Sequence, residues 1–302
     1  MPFSLENQLK DKRLEKKPFI KRFPVLIPLF VFILILIGYS LLNKTNSTPL
    51  IGVIPINGVI LESESVIKKI RLLEANPLVQ GIIIRINSPG GAVSPSQEIL
   101  TELIRLKKNK KVYASISSIA ASGGYYIAIG AEKIYANPGS LTGSIGVIMQ
   151  TLNVEKLMNK LGVRMETIKS GKNKDIGSAY RKMTDKERDL LQTVISDTHE
   201  QFVEAISTHR KIARKKIRRI ADGRIFTGQL ALQHNLIDGL ASFRQTVDQM
   251  KVDLDIQEPI KLFYPPDKKE TLLSILELES LFQLKETFIY SGLFYLSDLF
   301  KN

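Results

Sequence analysis

The feature that most constrains the fold is the run Val79–Ile86 (VQGIIIRI), which is apolar at almost every position. A half-exposed strand alternates apolar and polar residues, so a run without alternation indicates a strand covered on both faces. Helical spacing precedes it at Ser65–Ala75 and follows it from Ser94. A buried strand between two helices predicts an α/β domain with a mainly parallel sheet.

The same alternation continues along the chain. Capping patterns predict helices that start at Ser94–Gln97 and Thr184–Glu187 and run to about Lys108 and Ala213, and a further helix ends near His234. The other predicted strands are Ile51–Ile54, Val59–Leu61, Lys111–Ser117, Lys133–Ala136, Ser144–Met149, Val163–Ile168 and Gly223–Phe226.

The N-terminal region predicts a membrane anchor. Residues 1–22 hold seven basic and three acidic side chains, whereas residues 23–42 hold no charge. Twenty helical residues rise about 30 Å, the thickness of a bilayer core. The basic flank places the N-terminus in the cytoplasm and the rest of the chain outside. A cleaved signal peptide is the alternative, but residues 38–44 (GYSLLNK) offer no good cleavage site.

These observations divide the chain into five parts. We expect a cytoplasmic tail (1–22), a transmembrane helix (23–42), a linker (43–49) and a catalytic domain (50–265) that closes at two prolines. The apolar C-terminal tail (266–302) has the composition of a packing helix, an oligomer contact or a membrane-surface helix, and the sequence does not choose among these.

Composition narrows the possible chemistry. The chain has no cysteine, which excludes disulfides, a thiolate nucleophile and cysteine metal sites. His199-Glu200 lacks the second histidine of a zinc-peptidase helix, and we expect no metal. The net charge of +13 favours nucleic acid or an anionic membrane. The basic run Arg210–Arg219 carries isoleucines at helical spacing, so lipid headgroups suit it better than nucleic acid, and we expect no nucleic-acid partner.

Two glycine-rich turns follow predicted strands and carry the candidate chemistry. The first is Asn87–Gly91 (NSPGG) and the second is Ala120–Tyr126 (AASGGYY). Paired glycines let backbone amides approach a ligand, and a serine among small residues, as at Ser122, has an accessible hydroxyl. The alternative is that these are tight turns and that Ser122 only caps a helix.

A serine nucleophile needs a base. No histidine lies in a recognisable motif, but a lysine serves when desolvation favours its neutral form. Lys172 and Lys174 both follow a predicted strand, and the residues alone do not decide between them. Ser65 and Lys68 also have a Ser-x-x-Lys spacing, but they lie on an ordinary amphipathic helix without a glycine turn.

Five motifs together resemble the S49 serine peptidases, in the short bacterial form of the signal peptide peptidases. The resemblance covers about residues 50–245 in order and spacing. Its motifs are Ile86–Gly91 (INSPGG), Ala121–Tyr126 (ASGGYY), Leu141–Ile148 (LTGSIGVI), Lys169–Asp175 (KSGKNKD) and Ile220–Gly228 (IADGRIFTG).

The resemblance implies the fold, the activity and the role of each site residue. The fold would be of the ClpP/crotonase type, and the activity that of a membrane-anchored serine endopeptidase that degrades hydrophobic peptides such as cleaved signal peptides. Members form oligomers in which neighbouring subunits share an active site, and no cofactor is implied. The implied roles are those of nucleophile for Ser122, general base for Lys174, orientation of that lysine for Ser144, and oxyanion hole for Gly123 with Gly90 or Gly91.

Two other classes of protein share parts of this pattern. An acyl-CoA enzyme of the crotonase type would have the same fold but would need neither Lys174 nor an anchor. A non-catalytic membrane scaffold would keep the fold and would not depend on Ser122.

Overall fold

The computed structural model describes residues 28–35, residues 48–266 and the backbone of residues 294–296. The chain divides into two units at Ser47/Thr48. In the first unit, residues 28–35 form helix α1, inside the predicted transmembrane span, and the other residues of that span lie outside the described part. None of the described helices is both long and apolar enough to cross a bilayer. The predicted tail 1–22 and most of the predicted tail 266–302 also lie outside the described residues.

The second unit alternates strands and helices. The strands are β1 (Leu50–Ile60), β2 (Val79–Ala92), β3 (Lys111–Ala121), β4 (Lys133–Ala136), β5 (Leu141–Gly143), β6 (Ile225–Thr227), β7 (Gly239–Leu240), β8 (Lys261–Phe263) and β9 (Phe294–Leu296). The helices are α2 (Glu64–Ala75), α3 (Val93–Leu106), α4 (Gly123–Ala128), α5 (Glu155–Lys160), α6 (Asp185–Arg210), α7 (Arg214–Arg218), α8 (Gly228–Gln233) and α9 (Phe243–Asp253).

The strands form one sheet in the order β6-β5-β3-β2-β1-β8. Strand β4 pairs with the first half of β3, and β5 pairs with its last residues. Pairing is parallel except between β5 and β6 and between β2 and β9. The predicted mainly parallel α/β sheet is therefore confirmed, and it fits the fold type that the resemblance implies.

Strand β2 is buried on both faces, as the run of apolar residues predicts. Ile82 and Ile84 belong to the main core, which also holds Leu103 of α3 and Phe202 of α6. Ile83 faces the opposite side of the sheet, in a smaller cluster closed by α9. Helices therefore cover both faces, and the loops at the carboxyl ends of the strands are held on a rigid base.

Three local predictions are wrong. Ser144–Met149 forms no strand beyond an isolated bridge at Ile148, and Val163–Ile168 has no regular structure. Helix α3 starts at Val93, with Ala92 rather than Ser94 at its N-cap position and no side-chain cap. The strand β2 leads directly into this helix, so no turn is left in which a serine could cap it.

The capping box at the start of α6 is confirmed. Thr184 accepts a hydrogen bond from the Glu187 N–H, and the Glu187 carboxylate accepts one from the Thr184 N–H. The helix ends at Arg210, because Lys211 adopts the left-handed conformation with φ 53°. Such a residue is a common helix terminator.

Candidate active site

The ends of β2 and β3 bring the two glycine-rich turns together. The strands run side by side up to the pair Ser88 and Ala120, and then each enters its turn. A Cβ on Gly123 would lie 3.2 Å from the Gly91 nitrogen and 3.3 Å from the Gly90 Cα. Both distances are shorter than most Cβ contacts, so the predicted oxyanion residues lie against one another.

Ser122 sits on a strained turn between β3 and α4. Its backbone has φ 53° and ψ −116°, a region that a residue with a side chain rarely adopts. Holding such a residue costs on the order of 1–3 kcal/mol and is common at active sites. Its neighbours on both sides are buried, and the adjoining strand end fixes the geometry.

The Ser122 hydroxyl has no partner in the described part of the chain. The side chain is 1% exposed, and its Oγ makes no hydrogen bond. Although Ser122 occupies the N-cap position of α4, its side chain accepts no capping bond. A buried unsatisfied hydroxyl costs about 1–3 kcal/mol, so the arrangement does not serve helix capping and leaves the oxygen available for chemistry.

Ser144 lies beside Ser122 on the neighbouring strand end. The Ser122 N–H donates to the carbonyl of Gly143 at 2.8 Å, which continues the parallel pairing of β3 with β5. Ser144 is 8% exposed and has φ 49°, and its N–H donates to the carbonyl of Arg224 at 2.8 Å. The structure thus brings the predicted nucleophile and the predicted orienting serine together.

The first turn offers backbone amides from a fixed position. Gly90 has φ 108°, a conformation that favours glycine, and its N–H donates to Ser88 Oγ at 3.1 Å. A Cβ on Gly91 would lie 2.0 Å from the carbonyl oxygen of Ile60. Both glycines are therefore required by the local backbone, and the Gly90 amide already has a partner.

The two candidate lysines are not bonded to Ser122 within the chain. Lys172 and Lys174 are both exposed. The Lys174 N–H donates to the Gly171 carbonyl at 3.1 Å and closes a turn. Because Ser122 Oγ has no partner in the described residues, neither ammonium group reaches it in a single copy.

An ion-pair network that the sequence did not reveal holds the loop of Lys174. Asp175 accepts hydrogen bonds from Arg181 Nε at 2.9 Å and from Lys169. Arg181 also binds both carboxylate oxygens of Glu187, at 2.9 and 2.5 Å. The loop is thereby tied to the capping box of α6, and only the Glu187 end of this network was visible as a sequence pattern.

These contacts perturb the two carboxyl groups. The hydrogen bond from Arg181, followed by that from Lys169, holds the pKa of Asp175 well below its usual range. The hydrogen bonds from Arg181 and from the Thr184 backbone lower the pKa of Glu187 to about 2. Both groups are ionised at neutral pH and keep the loop in place.

The segment before this loop exposes a series of apolar side chains. Ile168 is fully exposed, at 103%. The series is Leu152, Leu157, Leu161, Val163, Met165 and Ile168. Exposed apolar side chains that lie together on a surface are typical of interaction sites.

The histidines do not supply a base for Ser122. His199 Nε2 lies 2.8 Å from the carbonyl oxygen of Ala221. Burial lowers the pKa of His209. The ring of His234 packs edge-on against Phe226.

The profile of Peptidase family S49 matches residues 104–257, a span that includes Ser122, Ser144 and Lys174. A Synechocystis sp. protein named as a putative protease is 41% identical over 228 residues, which are 72% of this chain and 82% of that protein.

Two further relatives are less similar. A putative signal peptide peptidase SppA of Enterococcus faecium is 32% identical over 68% of this chain, and a putative protease of Methanocaldococcus jannaschii is 34% identical over 67%. The matched regions span 60% and 65% of those two proteins, so the chain aligns with somewhat less than two thirds of their length. The Synechocystis sp. protein is 41% identical over most of its own length, and the family profile covers the site residues. The chain therefore belongs to peptidase family S49.

Proposed function

We propose that the chain is a serine endopeptidase with Ser122 as its nucleophile. The observation that carries the proposal is the buried, unbonded Ser122 Oγ on a strained turn, with the backbone of Gly90, Gly91 and Gly123 beside it. Membership of a peptidase family supports a hydrolytic role for this turn. A serine with a purely structural role in the same place would be expected to form a hydrogen bond through its hydroxyl.

Lys174 is the proposed general base. In its neutral form it takes the proton from Ser122 Oγ as the oxygen attacks the peptide carbonyl carbon. The lysinium then gives that proton to the leaving amine nitrogen as the C–N bond breaks, which leaves an acyl ester on Ser122. Water, deprotonated by the same lysine, releases the peptide acid and restores the serine. No cofactor takes part in these steps.

Backbone amides stabilise the tetrahedral intermediate. The N–H of Gly123 is one proposed donor, and Gly90 or Gly91 supplies the other. Gly91 is the better choice of the two, because the Gly90 N–H already donates to Ser88 Oγ.

The lysine is proposed to come from a second copy of the chain. Lys174 is exposed while Ser122 Oγ lacks a partner, and the segment leading to the lysine exposes a series of apolar side chains. Docking that segment on a neighbour would bury both features together. Removal of Lys174 from water would disfavour its charged form, and Ser144 would orient the amine.

We further propose that residues 23–42 anchor the enzyme in the cell membrane, with the N-terminus cytoplasmic and the catalytic domain outside. The uncharged apolar run and its basic flank support this proposal. Hydrophobic peptides, such as cleaved signal peptides, would then be the substrates within reach. The name of the Enterococcus faecium relative agrees with that substrate class.

The test is hydrolysis of a fluorogenic hydrophobic peptide by the full-length chain in detergent. Ser122→Ala and Lys174→Ala should each lose at least about 10²-fold in kcat, and Lys172→Ala is the matched control. The rate of the wild-type chain should rise above neutral pH. Loss of activity in Lys172→Ala with retention in Lys174→Ala would overturn the base assignment.

Mixing separates a shared site from a self-contained one. Ser122→Ala and Lys174→Ala chains, co-assembled in equal amounts, should regain part of the wild-type activity if serine and lysine come from different copies. Absence of recovery in a confirmed mixed oligomer contradicts the shared site. A wild-type chain that is folded, oligomeric and inert would favour the scaffold function instead.

A further inference from the structure

Lysine side chains collect on the side of the sheet where its parallel strands begin. Strands β1, β2, β3 and β8 run in the same direction, so their first residues lie along one side of the sheet, the amino edge. The last turn of α9 reaches this edge as well. A Cβ on Gly81, near the start of β2, would lie 2.7 Å from Met250 Sδ and 3.0 Å from Leu254 Cδ1.

Six lysines of the amino edge form no ion pair within the part of the chain that the structure describes. These edge lysines are Lys107, Lys108, Lys110 and Lys111 at and before the start of β3, Lys251 in α9 and Lys261 in β8.

The carboxylates beside the edge lysines do not neutralise them. Glu74 is already held by Arg105, and Asp253 is held by Lys133. Three further carboxylates near this edge form no ion pair among the described residues, namely Glu132, Asp255 and Glu258. The six edge lysines outnumber these three, so the amino edge carries an excess of positive charge.

Apolar side chains are exposed among the edge lysines. Leu78, just before β2, is 39% exposed, and Leu262 of β8 is 38% exposed. Val252, which follows Lys251 in the last turn of α9, is 71% exposed. Basic and apolar side chains that share one surface are typical of segments that lie at the boundary between lipid headgroups and acyl chains.

The chain enters the catalytic domain at this same edge. The Leu50 N–H donates to the Leu78 carbonyl at 2.9 Å, and the Lys261 N–H donates to the Pro49 carbonyl at 3.2 Å. Residues 43–47 separate Thr48 from the uncharged run 23–42. A fully extended chain spans at most about 3.6 Å per residue, so this tether is no longer than about 20 Å. With residues 23–42 as the anchor, the amino edge stays within that distance of the bilayer.

We propose that the amino edge is a docking surface for the headgroups of anionic phospholipids. The inference rests on the proposed anchor and goes beyond it, because it identifies the face of the catalytic domain that lies on the bilayer. Clusters of about four to eight basic residues near a membrane helix bind anionic lipid through attraction between ammonium and phosphate groups. Strand β3 has 11 residues, which rise about 3.3 Å each, so Ser122 at its far end lies about 35 Å from the headgroups. A peptide substrate must then extend out of the bilayer to reach the nucleophile.

The test places one fluorescent probe on the full-length chain. The chain has no cysteine, so Asn109→Cys gives a single thiol among the edge lysines, and Ser118→Cys gives one near the far end of β3. Each labelled protein is reconstituted in vesicles of phosphatidylcholine, or of an equal mixture with phosphatidylglycerol, that contain a lipid with a nitroxide quencher on its headgroup. The probe at 109 should be quenched more strongly in the anionic vesicles, and high salt should remove the difference. The probe at 118 should be quenched little in both.

Charge-neutralising variants identify the surface responsible. Lys108→Gln, Lys111→Gln and Lys261→Gln, combined in one chain, should lower quenching of the probe at 109 in anionic vesicles to the phosphatidylcholine level. The matched control combines Lys215→Gln, Lys216→Gln and Arg219→Gln, which remove three exposed cations of the basic run Arg210–Arg219. This control should retain the stronger quenching. Equal quenching at 109 in the two lipids, or a loss in the control alone, would overturn the proposal.

Alkaline extraction of the same vesicles separates docking from anchoring, because alkali releases proteins that are held by charge and retains a spanning helix. A chain that alkali releases, but whose probe at 109 responds to phosphatidylglycerol, rejects the anchor and supports the docking surface. A chain that is retained, but whose probe does not distinguish the lipids, supports the anchor and rejects the docking surface. Peptide hydrolysis by the unlabelled chain reports the proposed endopeptidase independently of both.

Discussion

The N–H of Ser122 donates a hydrogen bond to the carbonyl of Gly143 at 2.8 Å, and this bond places Ser144 next to Ser122. The strand β5 that ends at Gly143 is held on its other edge by β6. Both serines adopt positive φ angles, so each strand end turns sharply just after the last pair of the ladder. The sheet therefore fixes the separation of the two hydroxyl-bearing residues, whereas the lysine loop is held by the ion pairs of Asp175, Arg181 and Glu187.

Ser144→Ala should lower kcat without abolishing it. A hydrogen bond to a charged group is worth about 1.5–3 kcal/mol, which corresponds to about 10- to 100-fold in rate if Ser144 orients the lysinium. The measurement is steady-state hydrolysis of the hydrophobic peptide. Ser118→Ala is the control, because Ser118 is an exposed serine of β3. An unchanged kcat in Ser144→Ala would remove Ser144 from the proposed site.

Ser122→Ala should abolish activity while leaving the protein at least as stable as the wild type. The substitution removes a buried hydroxyl that has no hydrogen-bond partner in the described residues, and leaving such a group unsatisfied costs about 1–3 kcal/mol. Thermal unfolding and urea unfolding both report the change.

Ser140→Ala is the matched control for that measurement. Ser140 is 3% exposed, its Oγ donates to the Ser117 carbonyl at 2.5 Å, and it accepts from the Asn137 N–H at 3.2 Å. Its loss should destabilise the protein by about 1–3 kcal/mol. If both alanine variants destabilise the protein equally, Ser122 serves the structure rather than catalysis.

The sequence predicted which segments form the sheet better than it predicted where the strands end beside the site. Val79–Ile86 is recognisable because a strand buried on both faces lacks alternation. Strand β2 nevertheless extends through its glycine turn to Ala92, and β3 extends beyond the predicted end at Ser117 to Ala121. Pairing with neighbouring strands holds these residues in the ladder despite their weak intrinsic preference for it, and pairing partners are not visible in a local pattern.

The wrong strand at Val163–Ile168 has a related cause. Alternating apolar residues predict that one face of a segment is buried, but they do not identify the surface that buries it. Here Val163 and Met165 are about half exposed, at 47% and 52%, so the cover is not supplied by the described part of the same chain. Arg181 was missed for a different reason, because its two carboxylate partners lie six residues away on either side in a segment without a repeating pattern.

Arg181→Met should release the loop that carries Lys174 and reduce kcat. Arg181 is the group through which Asp175 and Glu187 are joined, so the variant removes the cation that both carboxylates share and leaves only Lys169 beside Asp175. Protease sensitivity of residues 169–183 measures the release of the loop. Lys169→Met, which removes only the second partner of Asp175, should have a smaller effect on both readouts.

The same network makes the loop sensitive to acid. Both carboxyl groups have a folded-state pKa below the ordinary value, and that of Glu187 is about 2. A lowered pKa means that the stabilisation is complete above about pH 4.5 and is lost as the pH falls towards 2. Protease sensitivity of the loop, tested with an acid-active protease, should therefore rise over this window in the wild type. In Arg181→Met it should already be high at pH 5, and a loop that is equally protected at pH 5 and pH 2 contradicts the network.

Alanine substitutions at Gly91 and Gly123 test whether these glycines are needed for close packing of the two turns or only for a flexible backbone. A Cβ at Gly91 would lie 2.0 Å from the Ile60 carbonyl oxygen, and one at Gly123 would lie 2.7 Å from Ser96 Oγ. The contact at Gly91 is with backbone, which must shift, whereas the contact at Gly123 displaces the Ser96 side chain. Gly91→Ala and Gly123→Ala should therefore cost about 1–3 kcal/mol of stability, with the larger loss at Gly91, and should reduce kcat. Gly139→Ala is the control, because nothing lies within 4 Å of its added Cβ. The measurements are the urea unfolding midpoint and kcat of each variant. If Gly91→Ala and Gly123→Ala match Gly139→Ala in both quantities, the two turns do not need their close approach.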